Sequence, residues 1–425
     1  MNIFLFYFIV IFINSKKLNE AKEKLLFVWQ HFRHGARQPY CSFDDKNWKD
    51  IFNENWKGYG ELTPLGMRMH YLLGISIKRK YSEFLNEYNP KKILIKSTDV
   101  NRTILSSYST IQGLFNGSNE FIINDEQIKT GIIHNKNYSK EISDKISKLG
   151  NNAIEGGFGF YPNHIFPVNY DHQYQIFRKE ECPGIVKYLN EIRNGEEIIN
   201  LTYEVSERIN NTYGKYIFKF MNKSGIEEPL FLYNFDNLFD IADTFIADYF
   251  NGRELKYIND TEIEMEKFYN ECLSISFIES YYRTFGISPS KLLYISISPL
   301  FNSLFSYIDK IIESGKNNSV EKNNVSNSPK FVLIAGHDNS LGLNDLFLKH
   351  EFGLDFDRAV YSHSHAYELW KNESDNKYYI RYLVNQKQKF ELEYEKFKEK
   401  SNQNYILQKK LKKYVILIKN KIMYI

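Results

Sequence analysis

The sequence predicts an α/β protein: a mostly parallel sheet flanked by helices and interrupted by a largely helical insertion. Three observations lead to this fold class. Short apolar runs typical of buried strands occur near both ends of the chain, and helical patterns follow them. The middle of the chain, from about residue 140 to residue 315, has an almost entirely helical pattern. Strands at both ends with a helical block between them indicate one sheet domain whose chain is interrupted by an insertion. The three predicted sheet strands are 24–29, 92–96 and 330–335.

The connections agree with this arrangement. Thr63 and Pro64 open a predicted helix, since Thr is a good N-cap and Pro fits the first turn. The Asn- and Ser-rich stretch 316–329 is typical of a loop that returns the chain to the sheet. Residues 366–370 and 378–384 resemble a strand pair joined by a polar turn.

These patterns divide the chain into five segments. Residues 1–17 are interpreted as a signal peptide. Residues 22–130 and 316–386 are expected to form a discontinuous α/β domain, and residues 131–315 a mostly helical insertion, or cap. Residues 387–425 are a Lys-rich C-terminal tail, expected to be a solvated helix or a poorly ordered end.

Composition excludes several classes of protein. With 425 residues the chain can bury a core without disulfides, and three cysteines exclude a disulfide-dense scaffold. Lys plus Arg is 55 and Asp plus Glu is 52, so bulk charge does not predict nucleic-acid binding. The aromatic content of 16% is attributed mainly to biased composition. Aromatics of the insertion are expected in its core, with some at the entrance of a site that the insertion covers.

The N-terminal apolar run, residues 3–13, is too short to span a bilayer and fits the apolar part of a signal peptide. A buried N-terminal strand is the alternative. With a signal peptide the protein enters the secretory pathway and is extracellular or lysosomal, and no transmembrane anchor is predicted. Asn-x-Ser/Thr acceptors give weak support, including Asn116, Asn137, Asn200, Asn210, Asn222, Asn259, Asn317, Asn324 and Asn372.

The strongest chemical signal, residues 33–39, directly follows the first predicted strand. It reads Arg33, His34, Gly35, Ala36, Arg37, Gln38, Pro39. Guanidinium groups match phosphate oxygens, and a histidine between two arginines would lose its proton readily. A neutral imidazole beside a bound phosphate is a candidate nucleophile. Five specified positions in seven arise by chance in about one chain of this length in ten thousand, which disfavours a simple basic surface turn.

Two weaker motifs follow the other strands. Ser97 to Thr103 contains Arg102 near the start of a predicted helix that Ser97 or Thr98 could cap, although alone it would be a surface arginine. The third strand ends in Gly336, His337 and Asp338. All three motifs lie at the carboxyl ends of predicted strands, where open α/β sheets bind ligands.

These residues resemble the histidine acid phosphatase family. Its R-H-G-x-R-x-P motif is matched at 33–39, its L-T-P-x-G segment at 62–66, its S-T-D-x-x-R-T segment at 97–103 and its G-H-D at 336–338. The likeness spans about residues 25–384 and is loose in the middle.

The resemblance implies hydrolysis of phosphate monoesters in two steps. His34 would attack phosphorus and become phosphorylated, and Asp338 would protonate the leaving oxygen, which implies an acidic optimum. Arg33, Arg37, Arg102 and His337 would hold the phosphoryl oxygens. No metal or other cofactor is required. The expected partner is a small phosphate monoester or a phosphorylated peptide, not nucleic acid.

Two alternatives stay open. A phytase-type enzyme acting on inositol phosphates would share the seven-residue motif. An inactive secreted binding protein on the same fold would need a broken catalytic set, yet His34, Arg102 and Asp338 are all present. The sequence departs from the family in one disulfide. Cys182 and Pro183 resemble the family's Cys-Pro, whose cysteine usually pairs with a cysteine near the C-terminus, but no cysteine follows Cys272 in this sequence.

Overall fold

The computed structural model describes residues 23–40, 58–115, 122–130, 140–167, 183–223, 234–252, 264–316 and 328–402. The predicted signal peptide, Cys41, Cys182 and the last part of the predicted tail lie outside these ranges. The fold described below concerns these residues alone.

The described residues form one seven-stranded sheet in the order β3-β2-β4-β1-β5-β6-β7. Its first four strands are parallel to one another, and its last four form three antiparallel pairs. The predicted fold class is confirmed, and the sheet is mixed. Its strands are β1 Glu23–Arg33, β2 Ile93–Thr98, β3 His164–Phe166, β4 Phe331–Gly336, β5 Ser364–Asn372, β6 Tyr378–Val384 and β7 Lys387–Glu393.

Helices occupy most of the remaining described chain. The first five are α1 Pro64–Lys80, α2 Ser82–Leu85, α3 Asn101–Phe115, α4 Asp125–Thr130 and α5 Lys140–Leu149. The helical block continues with α6 Pro183–Arg193, α7 Glu196–Lys223, α8 Phe235–Phe250 and α9 Met265–Phe277, then a π-helical turn Ile278–Tyr282, α10 Arg283–Phe285 and α11 Lys291–Lys316. After β4 come α12 Asp338–Phe352 and, at the end, α13, residues 394–402.

The two central parallel strands, β1 and β4, are buried on both faces. In β1, Phe27 and Trp29 belong to one apolar cluster, whereas Val28 and Phe32 belong to another on the opposite face. Burial on two faces explains the uninterrupted apolar runs of β1 and β4 in the sequence. A third cluster joins α7, α8 and α9, and it includes Ala36 from the loop after β1. The helical block therefore packs directly on the loop that carries the main motif.

The predicted tail begins differently from the expectation. Residues 387–393 are not helical but form the edge strand β7, antiparallel to β6. Asn385 and Gln386, both with positive φ, make the tight turn between these strands. Phe390 and Leu392 both pack against the first apolar cluster. Apolar residues two positions apart on one face are typical of a strand and not of a helix. The three predicted strands and the 366–384 strand pair are confirmed. The strand β3, which pairs with β2, was not predicted and lies within the segment expected to be a mostly helical insertion.

Candidate active site

The site is built on the carboxyl ends of β1, β2 and β4, which are neighbours in the sheet. Arg33, the last residue of β1, pairs with Gly336, the last residue of β4. The His34 backbone N–H continues the ladder by donating to the Gly336 carbonyl, 3.0 Å away. The three motifs therefore meet at one edge of the sheet, as the sequence predicts.

The loop after β1 packs without clearance against the start of α1. A side chain on Gly35 would place its Cβ 2.5 Å from the Gly66 carbonyl oxygen, and a Cβ on Gly66 would lie 2.2 Å from the Ala36 oxygen. Thr63 caps α1 by accepting from the Gly66 N–H, while its hydroxyl donates to the Ala36 oxygen. The Thr-Pro-x-Gly segment thus fixes the backbone that presents His34.

His34 is 2% exposed and is held in one tautomer. Its Nδ1 lies 2.9 Å from the Gly35 carbonyl oxygen, which can only accept, so Nδ1 carries the proton. The pKa of His34 lies well below its usual range because of burial first, and then because of Arg102, Arg33, Arg37 and His337. The imidazole is therefore neutral, with an unprotonated Nε2. The sequence predicted the effect of the arginines, whereas burial is the larger cause.

Arg33, Arg37 and Arg102 converge on His34. Arg33 donates from Nη1 to the Ala359 oxygen at 2.6 Å and from Nη2 to Asp338 at 2.9 Å. In all three arginines the Nε–H is buried and has no hydrogen-bond acceptor within the described part of the chain. The site therefore concentrates positive charge together with buried donors that await an acceptor.

Arg37 is neutralised by a residue of the helical block. Its Nη2 donates to Asp243 Oδ1 at 2.7 Å and its Nη1 to Asp243 Oδ2 at 3.1 Å, a bidentate pair. Burial acts to lower the pKa of Arg37, but the Asp243 carboxylate outweighs it and raises the pKa above its usual value. The Tyr40 backbone N–H donates to the same carboxylate, and the Tyr40 ring lies 4.2 Å from the Arg37 guanidinium carbon.

Arg102 lies in the first turn of α3, close to the end of β2, as predicted. It donates to the Tyr40 hydroxyl and, at 3.3 Å, to His337 Nδ1. Because a guanidinium only donates, His337 carries its proton on Nε2, which lies 3.0 Å from Thr98 Oγ1. Burial first, and then Arg102 and Arg33, hold the pKa of His337 well below its usual range. Thr98 thus orients His337; it does not cap α3, which begins three residues later.

Asp338 opens α12 and faces the same centre. Its Oδ2 accepts from Arg33 Nη2 and, at 3.3 Å, from the Ser280 hydroxyl, while its Oδ1 accepts from the Asn339 N–H at 2.9 Å. The Asp338 side chain is 22% exposed, more than those of Arg33 and Arg37, which are 7% and 3% exposed. A partly open carboxyl beside a neutral imidazole and three guanidinium groups suits proton transfer at the rim of an anion site.

All six residues predicted from the sequence are thus brought together. Four others that surround them were not predicted, namely Tyr40, Asp243, Ser280 and Tyr361. Tyr361 packs its ring 4.8 Å from the Arg33 guanidinium carbon and 5.7 Å from the centre of the His34 ring. An aspartate or a serine within a helical pattern carries no local signal, so only the fold reveals these contacts.

Comparisons with solved structures agree with this fold. Among solved structures, an inositol polyphosphate phosphatase of Bifidobacterium longum is similar with a TM-score of 0.50 and 12% identity, over 86% of this chain and 87% of that one. This likeness concerns the fold.

No helix in the described ranges is long and apolar enough to cross a membrane.

The chain is also similar in sequence to acid phosphatases. Lysosomal acid phosphatase of Xenopus laevis is 27% identical over 371 residues, which are 87% of this chain and 71% of that protein. Human prostatic acid phosphatase is 44% identical over 97 residues, 22% of this chain and 24% of that protein. The pattern of the histidine phosphatase superfamily, branch 2, matches residues 19–342. With this match and the converging His34, Arg33, Arg37 and Arg102, the chain belongs to the histidine phosphatase superfamily, branch 2.

Proposed function

We propose that this protein is an acid phosphatase that hydrolyses phosphate monoesters through a phosphohistidine on His34. One observation carries the proposal: the guanidinium groups of buried Arg33 and Arg37 and of half-buried Arg102 surround a neutral imidazole, and each has a buried Nε–H without an acceptor in the described chain. A buried donor without a partner costs about 1–3 kcal/mol. A phosphoryl group would satisfy such donors and match their charge.

In the first step His34 Nε2 attacks phosphorus, a P–N bond forms and the P–O bond to the leaving group breaks. Asp338 gives its proton to the leaving oxygen. In the second step water attacks phosphorus of the phosphohistidine, a P–O bond forms and the P–N bond breaks. The Asp338 carboxylate takes up the proton of that water, phosphate is released, and His34 and the Asp338 acid are regenerated. Arg33, Arg37 and Arg102 hold the equatorial oxygens through both steps, since charge on those oxygens has to be stabilised in the transition state.

His337 is proposed to bind the same phosphoryl oxygens, for which its Nδ1 needs a proton. His337 Nδ1 accepts from Arg102, so this nitrogen has no proton to donate. Arg102 has to turn from this nitrogen to the substrate, and the imidazole has to take up a proton. A phosphate dianion favours both changes, because it attracts the guanidinium and stabilises the imidazolium.

We infer that the substrate is a small phosphate monoester or a phosphorylated peptide. The similarity to lysosomal and prostatic acid phosphatases supports a place in the secretory pathway, extracellular or lysosomal. The Asn-x-Ser/Thr acceptors and the proposed signal peptide agree with this location.

The test is an assay of p-nitrophenyl phosphate from pH 4 to pH 8 with a chelator present. We expect activity that is highest at acid pH, is unaffected by the chelator and is lost in His34→Ala. His164→Ala is the matched control, since His164 is exposed on β3. Loss of activity with the chelator, or full activity of His34→Ala, would reject the proposal. Phytate hydrolysed faster than small monoesters would favour the inositol phosphate alternative.

A further inference from the structure

We propose that Ser280 is a positioning residue for Asp338: it keeps the carboxyl oriented toward the leaving group while Arg33 is engaged by the phosphoryl group. This inference rests on the proposed function, in which Asp338 is the proton donor. The inference goes beyond the proposed function because it makes the π-helical turn Ile278–Tyr282 of the helical block the element that positions the proton donor.

The π-helical turn is fixed to the helix that carries Asp338. Gly342 of α12 allows the Tyr281 ring to lie against the helix backbone, because a Cβ at this position would be 2.6 Å from Tyr281 Cε2. The Tyr281 hydroxyl lies 3.3 Å from Asp345 Oδ2, one turn further along α12. Both residues are buried, so ring packing and hydrogen bonding together set the distance from the turn to α12.

The other side of the turn is held by ion pairs. Glu279 accepts from Arg193 of α6 at 2.7 Å and from Arg283 of α10. The Thr284 hydroxyl donates to the Glu279 carbonyl oxygen at 2.9 Å. Ser280 lies between these ion pairs and the Tyr281 contact, so its backbone has little freedom to move. Local π-helical geometry inside an α-helix is often found at functional sites.

Asp338 needs the hydrogen bond from Ser280 because its other side-chain partner, Arg33, is also proposed to bind the phosphoryl group. Arg33 Nη2 and the Ser280 hydroxyl share Asp338 Oδ2, at 2.9 and 3.3 Å. When a phosphoryl group draws Arg33 away, Ser280 is the remaining side-chain donor to Asp338 within the described chain. Asp338 is 22% exposed, and without that donor only the Asn339 N–H, 2.9 Å from Oδ1, still holds its carboxyl, which can then pivot about this bond toward solvent.

The experiment measures kcat/KM for phosphate monoesters whose leaving groups differ in pKa: p-nitrophenyl, phenyl and glycerol phosphate. A poor leaving group needs the proton most, so a misplaced acid slows it most. For Ser280→Ala we expect a three- to tenfold loss on phenyl and glycerol phosphate and less than a twofold change on p-nitrophenyl phosphate. Ser280→Thr keeps the hydroxyl and should restore the wild-type dependence. Ser274→Ala is the matched control, since that hydroxyl bonds only the Asn270 carbonyl in the same helix.

Asp338→Asn, measured beside these variants, separates the inference from the function on which it rests. It should show the same dependence on the leaving group, with larger losses. If it does, and Ser280→Ala lowers all substrates equally or none, the inference about Ser280 is wrong and the proposed function stands. If Asp338→Asn shows no dependence, the proposed acid itself is wrong. Should Ser280→Ala not fold, Ser280→Cys keeps the volume with a weaker donor and gives the same comparison.

Discussion

Asp243 and Arg37 form a buried bidentate ion pair, 206 residues apart in the chain, that ties helix α8 to the loop carrying His34. Their side chains are 6% and 3% exposed. A buried charge that loses its partner is strongly unfavourable, whereas the intact pair satisfies both groups. The helical block therefore sets the position of one of the arginines assigned to phosphate.

Asp243→Asn should destabilise the protein and weaken substrate binding together. It leaves the Arg37 cation buried without a counter-charge, for which we expect a loss of about 3–5 kcal/mol in the free energy of unfolding. Urea unfolding and the KM for p-nitrophenyl phosphate measure the two effects. Asp240→Asn, on the same helix and half-buried, is the control. Unchanged stability and KM in Asp243→Asn would show that the pair has no part in either property.

Arg102→Ala should lower kcat/KM by roughly ten- to hundredfold or more, since a charged hydrogen bond contributes about 1.5–3 kcal/mol. The loss arises at the phosphoryl oxygens and should be similar for good and poor leaving groups, in contrast to Asp338→Asn. Arg68→Ala removes an equal charge from the exposed face of α1 and should be silent. An Arg102→Ala enzyme with normal kcat/KM would contradict the assignment.

Stability should fall as the pH falls from about 6.5 to 4. Burial lowers the pKa of His31 and His70 to about 3 and that of His363 to about 4. Below pH 6.5 the unfolded chain therefore binds protons that the folded chain does not, at a cost of about 1.4 kcal/mol per pH unit for each histidine. Urea midpoints at pH 7, 6, 5 and 4 measure the slope.

A variant of one buried histidine tests whether these residues cause the change of stability with pH. His70→Asn keeps a donor near Thr110, whose hydroxyl lies 3.0 Å from His70 Nδ1, and removes the titrating group. It should reduce the slope by up to about 1.4 kcal/mol per pH unit, which corresponds to one proton. Stability that rises toward pH 4 would contradict the burial of these histidines.

A chain ending at residue 386 should lose stability and aggregate, whereas one ending at residue 402 should keep the fold. The shorter chain lacks β7 and the core side chains Tyr394 and Phe397. It also exposes the edge of β6 to other chains. Thermal unfolding and light scattering of the two proteins provide the comparison. Equal stability would mean that β7 adds nothing to the sheet.

Five of the seven strands and the six central site residues could be predicted because their signals are local. Each of these five strands is a short apolar run, and each motif follows directly where a strand ends, as with His34 after β1. The strand β3 could not be predicted, since it is three residues long and its side chains are exposed. Asp243 and Ser280 could not be predicted, since their partners lie far away in the chain and their own helices look ordinary. Residues 387–393 were misjudged because frequent lysines obscured the alternation of Phe390 and Leu392.

The central position of β1 has a consequence for the order of folding. Arg33 makes its ladder contact with Gly336, and its side chain bonds the Ala359 carbonyl, 326 residues further along the chain. During synthesis the ribosome therefore releases His34, the proposed nucleophile, long before the strand that completes its surroundings has been made. Until β4 and β5 emerge, the apolar faces of β1 and β2 stay uncovered and open to misassociation. The nascent chain can complete its sheet only when β4 and β5 pair with β1. Its need for chaperones should therefore be highest just before these two strands leave the ribosome.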